Sequence, residues 1–186
     1  MACMRKFSDW LATAEMWLAA LLAALLTVLI LLNVVSRALG MAIYWVDELA
    51  IYAMVWMTFL ATSVVIKRRQ TLSVTLIVDL LPAQGRVWLG LFSDLMVLLF
   101  AGLLLVFCIR WFDPFTLYQH GFDSGVFQMQ TFNFIYAEST NTLGLKKFWI
   151  WLVLPFVALT LLLHAWVNLL ERCLQLLKKD YASAQG

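Results

Sequence analysis

Formal charge is scarce in this chain. Asp, Glu, Lys and Arg together make up 13% of its 186 residues, and 64% of the residues are hydrophobic. Ordinary soluble domains contain about 25% charged residues, so this composition indicates an integral membrane protein. The net charge of +2 is too small to favour a nucleic-acid partner.

Cysteine is scarce as well, and its positions exclude two kinds of site. Cys3, Cys108 and Cys173 lie far apart, with no CxxC or His-paired spacing, so the sequence predicts neither a zinc site nor a disulfide framework. There is also no internal repeat of the kind that transporters working alone usually contain. We therefore expect no catalytic residues, no cofactor and no metal in this chain.

Four long uncharged or nearly uncharged segments can each cross a bilayer, which takes roughly 20 residues. They are residues 14–36, 47–66, 87–109 and 148–170. Basic residues precede the first segment, as in a signal peptide, but the segment is longer than a cleavable apolar region of about 7 to 15 residues. The sequence thus predicts an all-α membrane protein with four transmembrane helices in a single membrane domain, residues 1–186.

Two connections between these spans have a pattern of their own. Residues 71–81 are apolar but too short to span, and they follow Lys67, Arg68 and Arg69. This order is typical of an interfacial helix, with the basic residues in contact with lipid headgroups.

The other connection, residues 110–147, contains nine aromatic residues between Trp111 and Tyr136. Asp113-Pro114 predicts the N-terminus of a short helix, and Gly121 and Gly125 are expected to interrupt helical structure there. An aromatic content this high favours a small layer that lies on the membrane or against a partner.

The distribution of Lys and Arg predicts the orientation, because short cytoplasmic loops are enriched in them. Nine lie in the two tails and the second connection, and four lie on the opposite side. The nine are Arg5, Lys6, Lys67, Arg68, Arg69, Arg86, Arg172, Lys178 and Lys179, and the four are Arg37, Arg110, Lys146 and Lys147. Both termini are therefore predicted to be cytoplasmic.

Ionisable residues inside a bilayer are costly and are candidates for function. Asp94 lies within the third span, about 10 Å along the helix from Val87, so a polar contact that fixes helix packing is favoured over ion coupling. His164 in the fourth span is the single intramembrane histidine. A haem held within one chain would need two axial ligands, so a hydrogen bond near the cytoplasmic end is the favoured interpretation.

A cluster of polar and charged residues lies between the first two spans: Asn33, Arg37, Trp45, Asp47 and Glu48. Asn33 and Arg37 share a helix face because they are four residues apart. The two carboxylates begin the second span, where they complement the positive end of a helix dipole. We expect these residues to form a structural clamp or a subunit contact at the outer membrane interface.

The hairpin residues and several later motifs resemble one known family. The pattern Asn33-Val34, Arg37, Trp45 and Asp47-Glu48 resembles the first hairpin of the small membrane subunit of tripartite ATP-independent periplasmic (TRAP) transporters, the DctQ-like family. Further similarity lies in LSVTLIVDLLP followed by Arg86 and in STNTLGL followed by a span with Pro155, so that it covers roughly residues 10–172. Where the family often has Glu-Glu, this chain has Asp47-Glu48.

This resemblance implies a scaffold subunit in a bacterial inner membrane. In the family a large membrane subunit holds the substrate and sodium sites, and a periplasmic substrate-binding protein delivers an organic acid. The small subunit braces the large one, and residues 110–147 are a candidate surface for the binding protein. Two alternatives stay open: a membrane anchor of a respiratory enzyme with haem or quinone, and a small four-helix exporter, although Glu15 lies at the edge of the first span rather than near its middle.

Overall fold

The computed structural model describes residues 2–68 and 82–183. Within them it contains seven helices: α1 (Ala2–Ala38), α2 (Tyr44–Lys67), α3 (Ala83–Phe112), α4 (Pro114–Gln119), α5 (Ser124–Thr131), α6 (Lys147–Trp151) and α7 (Val153–Ser183). Four helical segments are long and apolar enough to cross a membrane, so the predicted all-α membrane fold is confirmed. The predicted interfacial segment 71–81 lies outside the described residues.

The long helices have two ends, the terminal end and the hairpin end. The terminal end contains the beginnings of α1 and α3 and the ends of α2 and α7. The hairpin end contains the α1–α2 turn and the connection of residues 113–146, which is called the aromatic connection.

The α1–α2 turn is short because glycine ends the first helix. Gly40 has φ +75°, a left-handed conformation that costs glycine little, and its N–H donates to the Arg37 carbonyl at 3.0 Å. The next N–H, of Met41, donates to Ser36, also within the last turn. Since α2 begins at Tyr44, the chain reverses within a few residues and the two helices pack along each other.

The long helices are not all in mutual contact. In the described part of the chain α2 packs against α1 and α7, α1 also contacts α7 directly, and α3 has its extensive contacts with α7 alone. Half of the spanning window of α7 is buried, against 11% for α1 and for α3. The apolar residues of α1 and α3 therefore face outward over most of their surface, as helices in contact with lipid do.

Apolar and polar contacts alternate along the contact between α2 and α7. Leu60, Val153 and Val157 are core residues with almost no exposure. Farther along, the Ser63 and Thr160 hydroxyls lie 3.2 Å apart, and the Asn168 amide donates to the Ile66 carbonyl at 3.2 Å. Buried polar pairs of this kind align two helices where the surrounding lipid is as apolar as the helices themselves.

Helices α6 and α7 are separated by a break at Leu152. Pro155 has no N–H to donate to the Trp151 carbonyl, and a proline ring crowds the carbonyl four residues before it. In the same turn, the Ile150 carbonyl accepts a hydrogen bond from the Trp56 indole at 2.8 Å. The break therefore fixes α2 against the last spanning segment at its hairpin end.

The aromatic connection has a small core of its own, made of Phe112, Phe127 and Ile135. The Tyr136 hydroxyl donates to the Phe112 carbonyl at 2.6 Å. Burial raises the pKa of Tyr136, and the nearby Asp113 carboxylate acts in the same direction, so the phenol stays a neutral donor.

The sequence predicted the first helix of this connection correctly. Asp113 caps α4 by accepting from the Thr116 N–H at 3.3 Å, with proline at the first helical position. Gly121, at φ +63°, follows the end of α4. The prediction for Gly125 was wrong: it lies inside α5, because Asp123 caps that helix and accepts from the Gly125 N–H at 2.8 Å.

Candidate functional site

Asn33, Arg37 and Asp47 form a closed ring of hydrogen bonds at the hairpin end. Arg37 donates from Nη2 to Asp47 Oδ2 at 2.6 Å and from Nε to Asn33 Oδ1 at 2.9 Å. The Asn33 amide donates to the other oxygen of Asp47. Because Asn33 and Arg37 lie one turn apart on α1, a single carboxylate on α2 can bind both.

Glu48, the next residue along α2, binds the aromatic connection instead. Its Oε2 accepts from the Thr142 N–H at 2.7 Å and from the Thr142 hydroxyl at 2.5 Å. Its Oε1 accepts from the Asn141 N–H and from the Tyr52 hydroxyl, both at 2.8 Å. Hydrogen bonds to an ionised acceptor are about twice as strong as neutral ones, so this single side chain holds the loop of residues 141–143 on α2.

Together, Asn33, Arg37, Asp47 and Glu48 form what is called the hairpin clasp below. It joins three segments: the end of α1, the start of α2 and the loop before α6. Each carboxylate oxygen of Asp47 and Glu48 already accepts at least one hydrogen bond from the chain itself. Trp45, which the sequence grouped with these residues, is 44% exposed and stands apart from this network.

We expect the replacement Glu48→Ala to release the 141–143 loop while the helices stay folded. The loop N–H groups of Asn141 and Thr142 would lose a shared acceptor, and a segment with few remaining contacts opens more often. Limited proteolysis in detergent micelles should cut between residues 139 and 146 roughly tenfold faster. The matched control is Glu138→Ala, which removes an exposed ion pair with Lys147 in the same region. Equal cleavage of both variants would contradict the role given to Glu48.

Asp94 meets a basic residue from a distant part of the chain. Arg172 on α7 donates from Nε to Asp94 Oδ2 at 2.5 Å, and the Asp94 side chain is only 11% exposed. Gly90, one turn before Asp94, lies directly under the Arg172 guanidinium, and a Cβ at that position would overlap it. The favoured interpretation of Asp94 was a packing contact, but its Arg172 partner and the requirement for Gly90 were not visible in the sequence.

A second buried polar network joins α1 to α7 at the terminal end. His164 Nδ1 lies 2.7 Å from the Ser8 hydroxyl, and Nε2 lies 3.3 Å from Glu15 Oε2. All three side chains have at most 2% exposure. Glu15 lies within α1, which begins at Ala2, and its side chain is buried against α7. Both ring nitrogens of His164 are therefore engaged by side chains of α1.

The basic residues at the end of α2 differ in their surroundings. Lys67 lies 3.0 Å from Asp9 Oδ1 on α1, and its side chain is 8% exposed, so its charge is neutralised within the chain. Arg68 is exposed and places Nη2 3.0 Å from the sulfur of Met16. Arg69 lies outside the described residues.

Comparison with known proteins adds two similarities. A family model described as the DctQ component of tripartite ATP-independent periplasmic transporters matches residues 26–175. A relative from Haemophilus influenzae (strain ATCC 51907 / DSM 11121 / KW20 / Rd), whose name is that of a TRAP transporter small permease protein, is 31% identical over 97 residues. That match covers 52% of this chain and 60% of the relative's length.

Proposed function

This chain belongs to the family of DctQ components of tripartite ATP-independent periplasmic transporters, and from that premise we propose that it is a non-catalytic scaffold. Its role is to hold the large substrate-translocating subunit of such a transporter in the membrane. The transporter takes up an organic acid delivered by a periplasmic substrate-binding protein, coupled to sodium. This chain contributes neither the substrate site nor the ion site.

The main support for this proposal is that the hydrogen-bonding groups of the hairpin clasp are already occupied within the chain. Substrate or ion binding needs acceptors or donors that are free to change partners, whereas those of Asp47 and Glu48 are occupied by α1 and by the 141–143 loop. Arg37 likewise binds Asn33 and Asp47. Because these hydrogen bonds are made within the chain, they fix the angle between α1 and α2. A scaffold that supports a moving subunit needs such a fixed angle.

The proposed orientation places the terminal end in the cytoplasm and the hairpin end in the periplasm, in a bacterial inner membrane. The support is the asymmetry of the basic residues, nine against four. The basic residues at the end of α2 then meet the anionic cytoplasmic surface. Among them, Arg68 is exposed and can contact headgroups, whereas Lys67 binds Asp9.

Reversing the charge of Arg37 tests the scaffold. Arg37→Glu places like charges beside Asp47 and should open the α1–α2 end, which lowers co-purification of the large subunit and uptake together, each about fivefold. Pull-down through a tag on this chain, with uptake of labelled substrate in proteoliposomes, measures both effects.

The double reversal Arg37→Glu with Asp47→Arg is the control for that experiment. It restores opposite charges and should recover part of both signals, because the coupling of the two residues is then regained. Arg110→Glu changes the same charge at an exposed position on the hairpin end and should leave both signals intact. An intact complex with full uptake in Arg37→Glu would refute the proposed role of the clasp.

We further propose that the aromatic connection contacts the periplasmic binding protein. Tyr118 and Phe122 form an edge-to-face pair at 5.9 Å and are both strongly exposed at the hairpin end. Exposed aromatic residues of this kind are enriched at protein interfaces.

Replacing Tyr118 and Phe122 together with serine should lower uptake about tenfold at limiting binding protein, and less at saturating binding protein, because docking is weakened rather than translocation. The matched control is the exposed stacked pair Phe7 and Trp10 at the opposite end, replaced in the same way. If uptake at limiting binding protein were unaffected when Tyr118 and Phe122 are replaced, this surface would not be the docking site.

A further inference from the structure

A cleft of about 420 Å³ opens at the terminal end between α1, the end of α2 and α7. Its lining contains both signs of charge: Arg5 and Asp9 from α1, Arg68 from α2 and Glu171 from α7. The hairpin clasp lies at the other end of the helices, so this cleft is a separate feature.

The walls of the cleft are fixed by contacts that do not use all of its charges. Lys67 and Asp9 hold α2 to α1 at 3.0 Å, and the Asn168 amide holds α7 to the end of α2 through the Ile66 carbonyl. Behind the cleft, His164 joins α7 to α1 through Ser8 and Glu15. The cleft is therefore shaped in advance of any ligand.

Two charged groups in this lining have polar atoms without a partner in the described part of the chain. Glu171 Oε1 is buried and has no hydrogen-bond partner within the described part of the chain. Arg5 is exposed and makes no ion pair or hydrogen bond with any of residues 2–68 and 82–183. An unpaired carboxylate oxygen without access to water is costly, and turning the Glu171 carboxylate toward a cationic donor in the cleft that it lines would remove that cost.

An apolar path leads out of the cleft along the outer face of α1. Thr13 lines the cleft, and Trp17 and Leu21 follow it at four-residue spacing, so all three share one helix face. Trp17 and Leu21 are both about two-thirds exposed. The site therefore combines a charged cleft at the end of the spanning helices with an apolar stripe that runs toward the middle of the membrane.

We propose that this cleft binds the headgroup of a zwitterionic phospholipid that carries a primary ammonium group, the chemistry of phosphatidylethanolamine. Arg5 and Arg68 bind the phosphate, Glu171 accepts from the ammonium, and one acyl chain lies along Trp17 and Leu21. The headgroup of phosphatidylglycerol offers Glu171 only neutral hydroxyl donors, which bind a carboxylate more weakly than an ammonium does, and a choline headgroup has no N–H to offer it. This inference rests on membrane insertion and on the cleft, and not on the proposed transport function.

Native mass spectrometry of the purified, delipidated chain in detergent tests the proposal. Phosphatidylethanolamine, phosphatidylcholine and phosphatidylglycerol with identical acyl chains are added at equal concentration, and the lipid retained after activation is compared. Phosphatidylethanolamine should be retained about tenfold more than either other lipid, the effect of one additional charge-assisted hydrogen bond.

Two variants with matched controls separate the parts of the site. Glu171→Gln should abolish the preference for phosphatidylethanolamine, and Arg5→Gln should lower retention of all three lipids. The controls Glu138→Gln and Arg110→Gln make the same changes at the hairpin end, and circular dichroism checks that all four variants are folded. An unchanged preference in Glu171→Gln overturns the proposal. Equal or better retention of phosphatidylglycerol, or displacement of the lipid by inorganic phosphate alone, also overturns it, because the cleft would then be a general anion site.

Discussion

Replacing Gly90 with alanine should loosen α3 from α7 and lower the free energy of unfolding by about 2 to 3 kcal/mol. The added Cβ would occupy the position of the Arg172 guanidinium, which must move and give up its hydrogen bond to Asp94. Breaking a fully buried pair costs about 3 to 5 kcal/mol. The estimate is lower here because the Arg172 side chain is 22% exposed and because alanine gains about 1 kcal/mol of helix propensity over glycine. Since α3 has its extensive contacts with α7 alone, the loss falls on the one surface that holds this helix.

The same replacement at Gly102 is the control. Gly102 lies on the same helix, and a Cβ there would have no atom within 4 Å, so Gly102→Ala should be neutral or slightly stabilising. Thermal unfolding in detergent micelles, followed by circular dichroism, measures both variants.

A double-mutant cycle with Asp94→Asn identifies the cause. If Gly90→Ala acts through the ion pair, then adding Asp94→Asn to it should cost little more. Fully additive losses, or equal losses at Gly90 and Gly102, would show that the Arg172–Asp94 contact is not what Gly90 protects.

Replacing His164 with leucine should have the larger effect, about 3 to 5 kcal/mol, because it leaves the Glu15 carboxylate buried without the imidazole. Ser8 would lose its partner in the same step. The N-terminal part of α1 would then detach from α7. Thermal unfolding in micelles measures the loss of stability, and faster thiol labelling of a cysteine introduced near Ser8 detects the detachment.

The double variant Glu15→Leu with His164→Leu is expected to recover most of this loss. Removing both partners leaves neither side chain buried without the other, and a well-packed apolar pair is often as stable as the buried polar pair it replaces. His120→Leu is the control, because it changes the same residue type in the half-exposed aromatic connection and should alter stability by less than about 0.5 kcal/mol. A single His164→Leu variant as stable as the control would show that the network contributes nothing to holding α1.

The local parts of the hairpin clasp could be predicted from the sequence. Asn33 and Arg37 share a face by helical spacing, and Asp47 follows after a turn too short to carry it elsewhere. The cap at Asp113 was predictable for the same reason, since it depends on neighbours within one turn.

The partner of the second carboxylate, Glu48, could not be predicted from local spacing. The sequence places Glu48 in one cluster with Asp47 and Arg37, but successive residues on a helix point about 100° apart. Glu48 therefore faces away from Arg37 and binds Thr142, 94 positions later in the chain. Only the packed structure identified the partner of Glu48.

The sequence by itself determined membrane insertion, the number of spanning segments and the short hairpin, because these depend on the transfer of each segment from water to lipid and on contacts within a turn. The tertiary structure alone decided which helices are neighbours: α3 against α7 through Arg172, and α1 against α7 through His164. The physical reason is that α1 and α3 are apolar on nearly all sides, and lipid satisfies such faces as well as another helix does. Hydropathy therefore carries no information on partners, and the few polar side chains that select them are 78 and 149 positions apart in the sequence.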